Sequence, residues 1–131
     1  MPKKRKRSLI VKDLDRAFSL YVRNRDANLD GFVECITCGA VKHWKTVDCG
    51  HFMSRSRYST RWDELNAYAQ CKKCNMTNGG EQFIMARRID EIHGEGMAEA
   101  IHIKSMTTVK LADFELVEMI EEYRQKLNDL I

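Results

Sequence analysis

Two Cys-x-x-C pairs, CITC at 35–38 and CKKC at 71–74, constrain this chain more than any other feature of its sequence. Each pair presents two thiolates from one tight turn, and two such knuckles can close a tetrahedron around Zn²⁺. The competing use of cysteine is a disulfide framework. Five cysteines, an odd number, and a start that lacks an export signal argue against it. A structural zinc held by Cys35, Cys38, Cys71 and Cys74 is therefore expected, with Cys49 left over as a free thiol. The 32 residues between Cys38 and Cys71 exceed the gap of a short ribbon or finger, so further structure is inserted between the halves of the site. That insertion contains VDCGHFMSRSRY, in which His51 follows Asp48 and precedes a run of arginines.

The chain has 131 residues, enough for one domain that buries roughly two thirds of its unfolded surface. No apolar run approaches the ~20 residues that cross a bilayer, so no membrane role is expected. The net charge of +3 is concentrated at one end, where Lys3, Lys4, Arg5, Lys6 and Arg7 fall within the first seven residues. PKKRKR lacks the apolar centre of a secretory signal. It reads equally as a solvated, disordered start or as an arm adding phosphate affinity, and it also resembles a nuclear-import cluster. The expected organisation is a basic disordered arm over 1–10 and a single domain over 11–131.

Hydrophobic spacing then places the elements. Leu14, Ala17, Phe18, Tyr21 and Val22 follow Asp13 at helical spacing and predict an amphipathic helix over about 13–26. Phe32 to Ile36 reads as a strand into the first knuckle, Thr46 to Cys49 as a strand running up to His51, and Ala67 to Gln70 as a strand returning to the second. Ser54 to Ser59 reads as an exposed polar loop. A helix is expected to begin after Cys74, loosen at Gly79 and Gly80, and stop at Gly94. A short helix follows over 95–104, then a long one capped by Asp113. In the long helix Leu116, Ile120, Tyr123, Leu127 and Leu130 form a heptad-like stripe. Such a stripe docks on the chain's own core or makes a homodimer contact, core docking being the commoner use.

A histidine-bearing strand, a second strand and a helix, with a zinc knuckle at either end, resembles the HNH nucleases and their ββα-metal motif. His51 falls at the first histidine of that pattern. Asn66 lies five residues before Cys71, and Asn75 follows Cys74 directly, in the place of the last histidine. A narrower resemblance runs through CITCG, DCGHF, TRWDELNAYAQCKKCN and EEYRQKL. Together these look like the phage NinG (Rap) family of recombination endonucleases, which act on branched DNA such as D-loops and Holliday junctions. The chain departs from the general HNH pattern at Gly50, where an aspartate or histidine is usual, and Asp48 stands three positions before His51.

The resemblance implies an α+β fold: a small zinc-stabilised ββα-metal core, about 32–93, flanked by N- and C-terminal helices. It also implies a metal-dependent endonuclease. A histidine, with a reference pKa of about 6.5, is suited to take a proton from an attacking water, which makes His51 the general base. Asp48 and Asn75 are the candidate ligands of a catalytic Mg²⁺ or Mn²⁺, an oxygen-rich site suiting hard cations. Asn66 is expected to orient His51 and pin the loop before it. Arg55, Arg57, Arg61, Lys72 and Lys73 are candidate phosphate contacts on DNA, against the alternative of a solvated basic surface. Tyr58 could stack on a base, whereas Trp62 reads better as core, and His43, His93 and His102 read as structural. A cytoplasmic setting in an infected bacterial cell goes with the same resemblance. Two other functions fit the same residues: a zinc-stabilised DNA-binding accessory to recombination without cleavage, and an HNH nickase for DNA degradation or packaging.

Overall fold

A computed structural model describes residues 4–130. Five helices and four short strands follow one another as α1 (Arg7–Arg25), β1 (Phe32–Glu34), β2 (Val41–His43), β3 (Val47–His51), α2 (Tyr58–Arg61), β4 (Ala67–Cys71), α3 (Gln82–His93), α4 (Met97–Ser105) and α5 (Asp113–Asp129). The strands form two antiparallel pairs, β1 with β2 and β3 with β4. In the second pair Val47 faces Cys71, Asp48 faces Gln70 and His51 faces Ala67. Among the described residues no helix is long and apolar enough to cross a membrane.

The β3–β4 pair lies between two apolar clusters. On one side α1 and α5 supply Leu14, Phe18, Val22, Leu116, Ile120 and Tyr123, joined by Trp62 and Ala67. On the other side Phe52 and Tyr68 pack with Met85, Ile89, Ala98 and Ile101 of α3 and α4. The stripe of α5 is therefore the intramolecular one. Leu116, Ile120 and Tyr123 are buried, while Leu130 at its end is exposed. Packing against α1 covers the face that a dimer through this stripe would use.

Several element boundaries differ from those expected. Helix α1 begins at Arg7, not near Asp13, because Ile10 extends the apolar stripe one turn toward the N-terminus and is buried against it. The basic arm expected over 1–10 is thus helical from Arg7, and its residues 1–3 lie outside the described part. Asp13 is inside the helix, paired with Arg5. Arg7 pairs with Asp113 at 2.7 Å, and Ala112, not Asp113, caps α5. The strand β2 was not expected. The polar stretch 54–59 is a loop that passes into α2 at Tyr58. After Cys74 the backbone first makes a wide π-type turn over Lys73–Thr77, and α3 starts only at Gln82, preceded by Glu81 at φ 50°. Gly94, at φ 111°, ends α3 where the sequence placed the stop.

Candidate metal centre and cleft

The sulfur atoms of Cys35, Cys38, Cys71 and Cys74 all lie within 4.8 Å of one another. Cys38 Sγ and Cys71 Sγ are 3.8 Å apart, and a regular tetrahedron with Zn–S bonds of about 2.3 Å has an edge of about 3.8 Å. The backbone N–H of Cys71 donates to Cys35 Sγ at 3.3 Å, and that of Cys74 to Cys71 Sγ at 3.5 Å. Burial opposes ionisation of Cys35, but the N–H of Cys71 and the hydroxyl of Thr37 outweigh it and bring its thiol down to about 6. The four cysteines fit a zinc ion in number, spacing and donor chemistry. Cys49 is apart from them, with its thiol pushed up to about 12 by burial.

The second feature is an open cleft of about 400 Å³ lined by Cys49, His51, Arg55, Asn75, Gly79 and Gly80. It brings the end of β3 and the π-type turn after β4 together. His51 Nε2 donates to the carbonyl of Arg61 at 2.9 Å. A carbonyl only accepts, so the neutral ring carries its hydrogen on Nε2 and keeps Nδ1 as the acceptor. The Phe18 ring of α1 lies 6.0 Å from the imidazole, centre to centre. Burial lowers the pKa of His51, assisted by the charge of Arg55, against the pull of the Arg61 carbonyl.

Asp15 on α1 was not singled out in the sequence, yet it fixes the segment that holds His51. Its carboxylate accepts from Arg61 Nε at 3.1 Å, from Arg61 Nη2 at 2.6 Å and from Trp62 Nε1 at 2.9 Å. Asn66 is fully buried. Its Oδ1 accepts from the N–H of Met53 at 2.8 Å, and its Nδ2 donates to the carbonyls of Met53 and Thr60. It therefore ties both ends of the loop between His51 and Arg61, and its side chain bonds Met53 and Thr60, not His51 itself.

Asp48 meets Asn75 across the hairpin. Asn75 Nδ2 donates to Asp48 Oδ2 at 3.0 Å, and Lys72 Nζ donates to Asp48 Oδ1 at 2.7 Å. Partial burial opposes ionisation of Asp48, but these two donors prevail and hold its carboxyl below the usual range. Both oxygens of Asp48 thus face donors, the Lys72 ammonium and the Asn75 amide nitrogen; a carboxylate and a side-chain amide are donor types that hard cations take, and an ion held there would have the Asn75 amide turned to present its oxygen. Lys72 would compete with such an ion. An exposed pair of this kind is worth about 0.2–1 kcal/mol, so Lys72→Ala should tighten Mn²⁺ binding by about 1.5- to 5-fold in a titration without DNA. Weaker binding in the variant would show that Lys72 does not compete.

The expected phosphate contacts divide by exposure. Arg55, Arg57, Lys72 and Lys73 are exposed, and of these Arg55 lines the cleft. Arg61 is committed to Asp15, its side chain only 16% exposed, because the carboxylate that claims it lies 46 residues away in sequence. Trp62 is core, edge-on to Tyr58. His43 accepts from the N–H of Lys45 at a turn. A larger hollow of about 440 Å³, lined in part by Arg25, Glu34, Tyr68, Arg88 and His93, includes neither His51 nor the Asp48–Asn75 pair.

A family model described as "Bacteriophage Lambda NinG protein" matches residues 2–131. The proteins called "Protein ninG" from Salmonella phage P22 and Escherichia phage 933W are 31% and 30% identical over 128 residues, which is 95% of this chain and 59% of each relative. The chain therefore spans less than two thirds of the length of these relatives. No solved structure matches it.

Proposed function

We propose that this chain, which belongs to the phage NinG family, is a metal-dependent HNH-type endonuclease that hydrolyses phosphodiester bonds in branched DNA. The observation that carries the reading is the tautomer of His51, whose Nε2–H is held by the Arg61 carbonyl while the residue lines a cleft shared with Asn75. A histidine fixed in this way has one free lone pair, on Nδ1, for the proton of an attacking water. Its burial keeps the ring neutral to lower pH than a free histidine. Arg61 and Trp62, anchored on Asp15, and Asn66, tying Met53 to Thr60, hold the ring's support in place.

Asp48 and Asn75 would hold Mg²⁺ or Mn²⁺, which when bound supplies a Lewis acid for the scissile phosphate and the departing 3′ oxygen. Arg55, Arg57 and Lys73 neutralise flanking phosphates. Arg55 and Arg57 lie in the loop before α2 and Lys73 in the π-type turn, not along a helix suited to reading base edges, so DNA shape, not sequence, is the feature recognised. D-loops and Holliday junctions are the substrates this reading favours, in the cytoplasm of a phage-infected cell.

The test is nicking of labelled Holliday junction, D-loop and matched linear duplex by zinc-loaded protein with Mg²⁺ or Mn²⁺. Metal-dependent nicking of the branched substrates in preference to the duplex is expected. Equal cleavage of the duplex would point to a general nickase. Binding of the junction with no cleavage under either metal would make the chain a DNA-binding accessory.

A further inference from the structure

Gln70, on β4, is fully buried, and its carboxamide is satisfied on one side only. Nε2 donates to the carbonyl of Gly80 at 2.8 Å and to Thr37 Oγ1 at 3.1 Å. Since the Gly80 carbonyl can only accept, the amide cannot be turned over. Oε1 then has no hydrogen-bond partner among the described residues. Buried amide oxygens are ordinarily paired, and an orphan marks a missing donor, water or ion.

The surroundings of this oxygen narrow the choice. Gln70 faces Asp48 across the β3–β4 ladder, and directly opposed residues share one face of a sheet. Asp48 in turn is bonded to Asn75. The carboxamide bonds to Gly80, which lines the cleft, and packs against Gly50, between the cleft residues Cys49 and His51. A Cβ added to Gly50 would lie 2.2 Å from Gln70 Oε1 and 2.9 Å from Gln70 Cβ. No side chain fits at position 50, and the space immediately before His51 belongs to the Gln70 oxygen.

We propose that Gln70 Oε1 is a third protein oxygen, with Asp48 and Asn75, for the divalent cation proposed at the Asp48–Asn75 pair beside the cleft. The inference rests on the cation site of the proposed function and adds a ligand from the neighbouring strand. A neutral carboxamide oxygen is an ordinary donor to hard cations. With Asp48 its sole carboxylate, the site would bind the free ion weakly and leave room for DNA phosphate oxygens to complete it. Thr37, which holds the same carboxamide, also touches Cys35 Sγ at 3.4 Å, so the ligand's orientation depends on the first zinc knuckle.

The test uses Mn²⁺ with the full, zinc-loaded chain in the absence of DNA. Pulsed EPR on protein carrying ¹³C at the glutamine Cδ should show a ¹³C coupling to Mn²⁺ that disappears in Gln70→Met, in which Gln82 and Gln125 remain labelled. Mn²⁺ affinity should fall in Gln70→Met by about tenfold or more, as when a group that supports a metal site is lost. If Mn²⁺ binding depends on Asp48, being lost in Asp48→Ala, yet the wild type gives no ¹³C coupling, Gln70 is not a ligand and the two-residue site stands. If Mn²⁺ binds as well to Asp48→Ala and Asn75→Ala as to wild type, the cation site itself is wrong and the proposal falls with it. If Gln70→Met does not fold, a wild-type coupling that persists in Gln82→Met and Gln125→Met assigns it to Gln70, and a coupling lost in Gln82→Met overturns the proposal.

Discussion

On the proposed reading as an endonuclease, His51→Ala should lose cleavage of branched DNA by about 10²- to 10⁴-fold, the usual worth of a positioned general base, while keeping its zinc and its affinity for the junction. The expectation separates catalysis from folding because His51 is only partly buried and lies outside the four-sulfur cluster. Its side chain meets the Arg61 carbonyl and the edge of the α1 core at Phe18, so truncation removes one hydrogen bond and a limited contact. The pH profile supplies a second readout. Burial lowers the histidine's pKa, and a base works only when deprotonated. The acidic limb of the wild-type rate should therefore fall below the reference value of about 6.5. Activity would be retained as pH drops through 6.5 and lost only further down. A variant that cuts as fast as wild type, or a limb well above 6.5, would remove His51 from the role of base.

What could be read in the sequence was the local part of this site. Cys35, Cys38, Cys71 and Cys74 announce themselves by spacing, and the structure brings their sulfurs together. The strands before His51 and Cys71 alternate or carry small and aromatic residues, and they pair in register as β3 and β4. Asn75, one residue after the second knuckle, reaches Asp48 because that pairing sets the end of β4 beside the start of β3. The parts that were not legible depend on contacts distant in sequence. Asp15 reads as an ordinary polar position of an amphipathic helix, and only the packing of α1 on the hairpin brings it to Arg61 and Trp62. For the same reason Arg61 reads as a free cation in an arginine-rich loop. Gly50 reads as a departure from the HNH pattern, and its cause is the side chain of Gln70 on the neighbouring strand. The start of α1 was missed because charge dominates its first turn, while burial of Ile10 against the helical core decides it.

Removing zinc should have the largest effect on stability, because the four-cysteine cluster holds together segments that are otherwise lightly connected. Cys35 and Cys38 lie in the turn between β1 and β2, and Cys71 and Cys74 join the end of β4 to the turn that carries Asn75. The apolar cluster nearest to β1 is small, with Val33, Val47 and Ala69 at its centre and Trp44 beside it. Structural zinc contributes about 10–16 kcal/mol in small zinc-binding peptides, as much as the whole stability of a typical domain, about 5–15 kcal/mol. Chelation, or Cys71→Ser, should therefore abolish the native arrangement of β1, β2 and the Asn75 turn. Proton competition gives the sign of the pH effect. The ligands bind as thiolates, and burial and neighbouring thiols push Cys74 up to about 12 in the absence of the ion. Zinc must displace protons to bind, so affinity and stability should both fall as pH falls. The two tryptophans report on different regions, Trp44 beside the small cluster and Trp62 within the α1–α5 core. In single-tryptophan variants, chelation should expose Trp44 before Trp62, since α1 and α5 keep an apolar core of their own. A zinc-free protein that melts cooperatively within about 5 °C of the loaded form would show that the cysteines cluster without holding the fold.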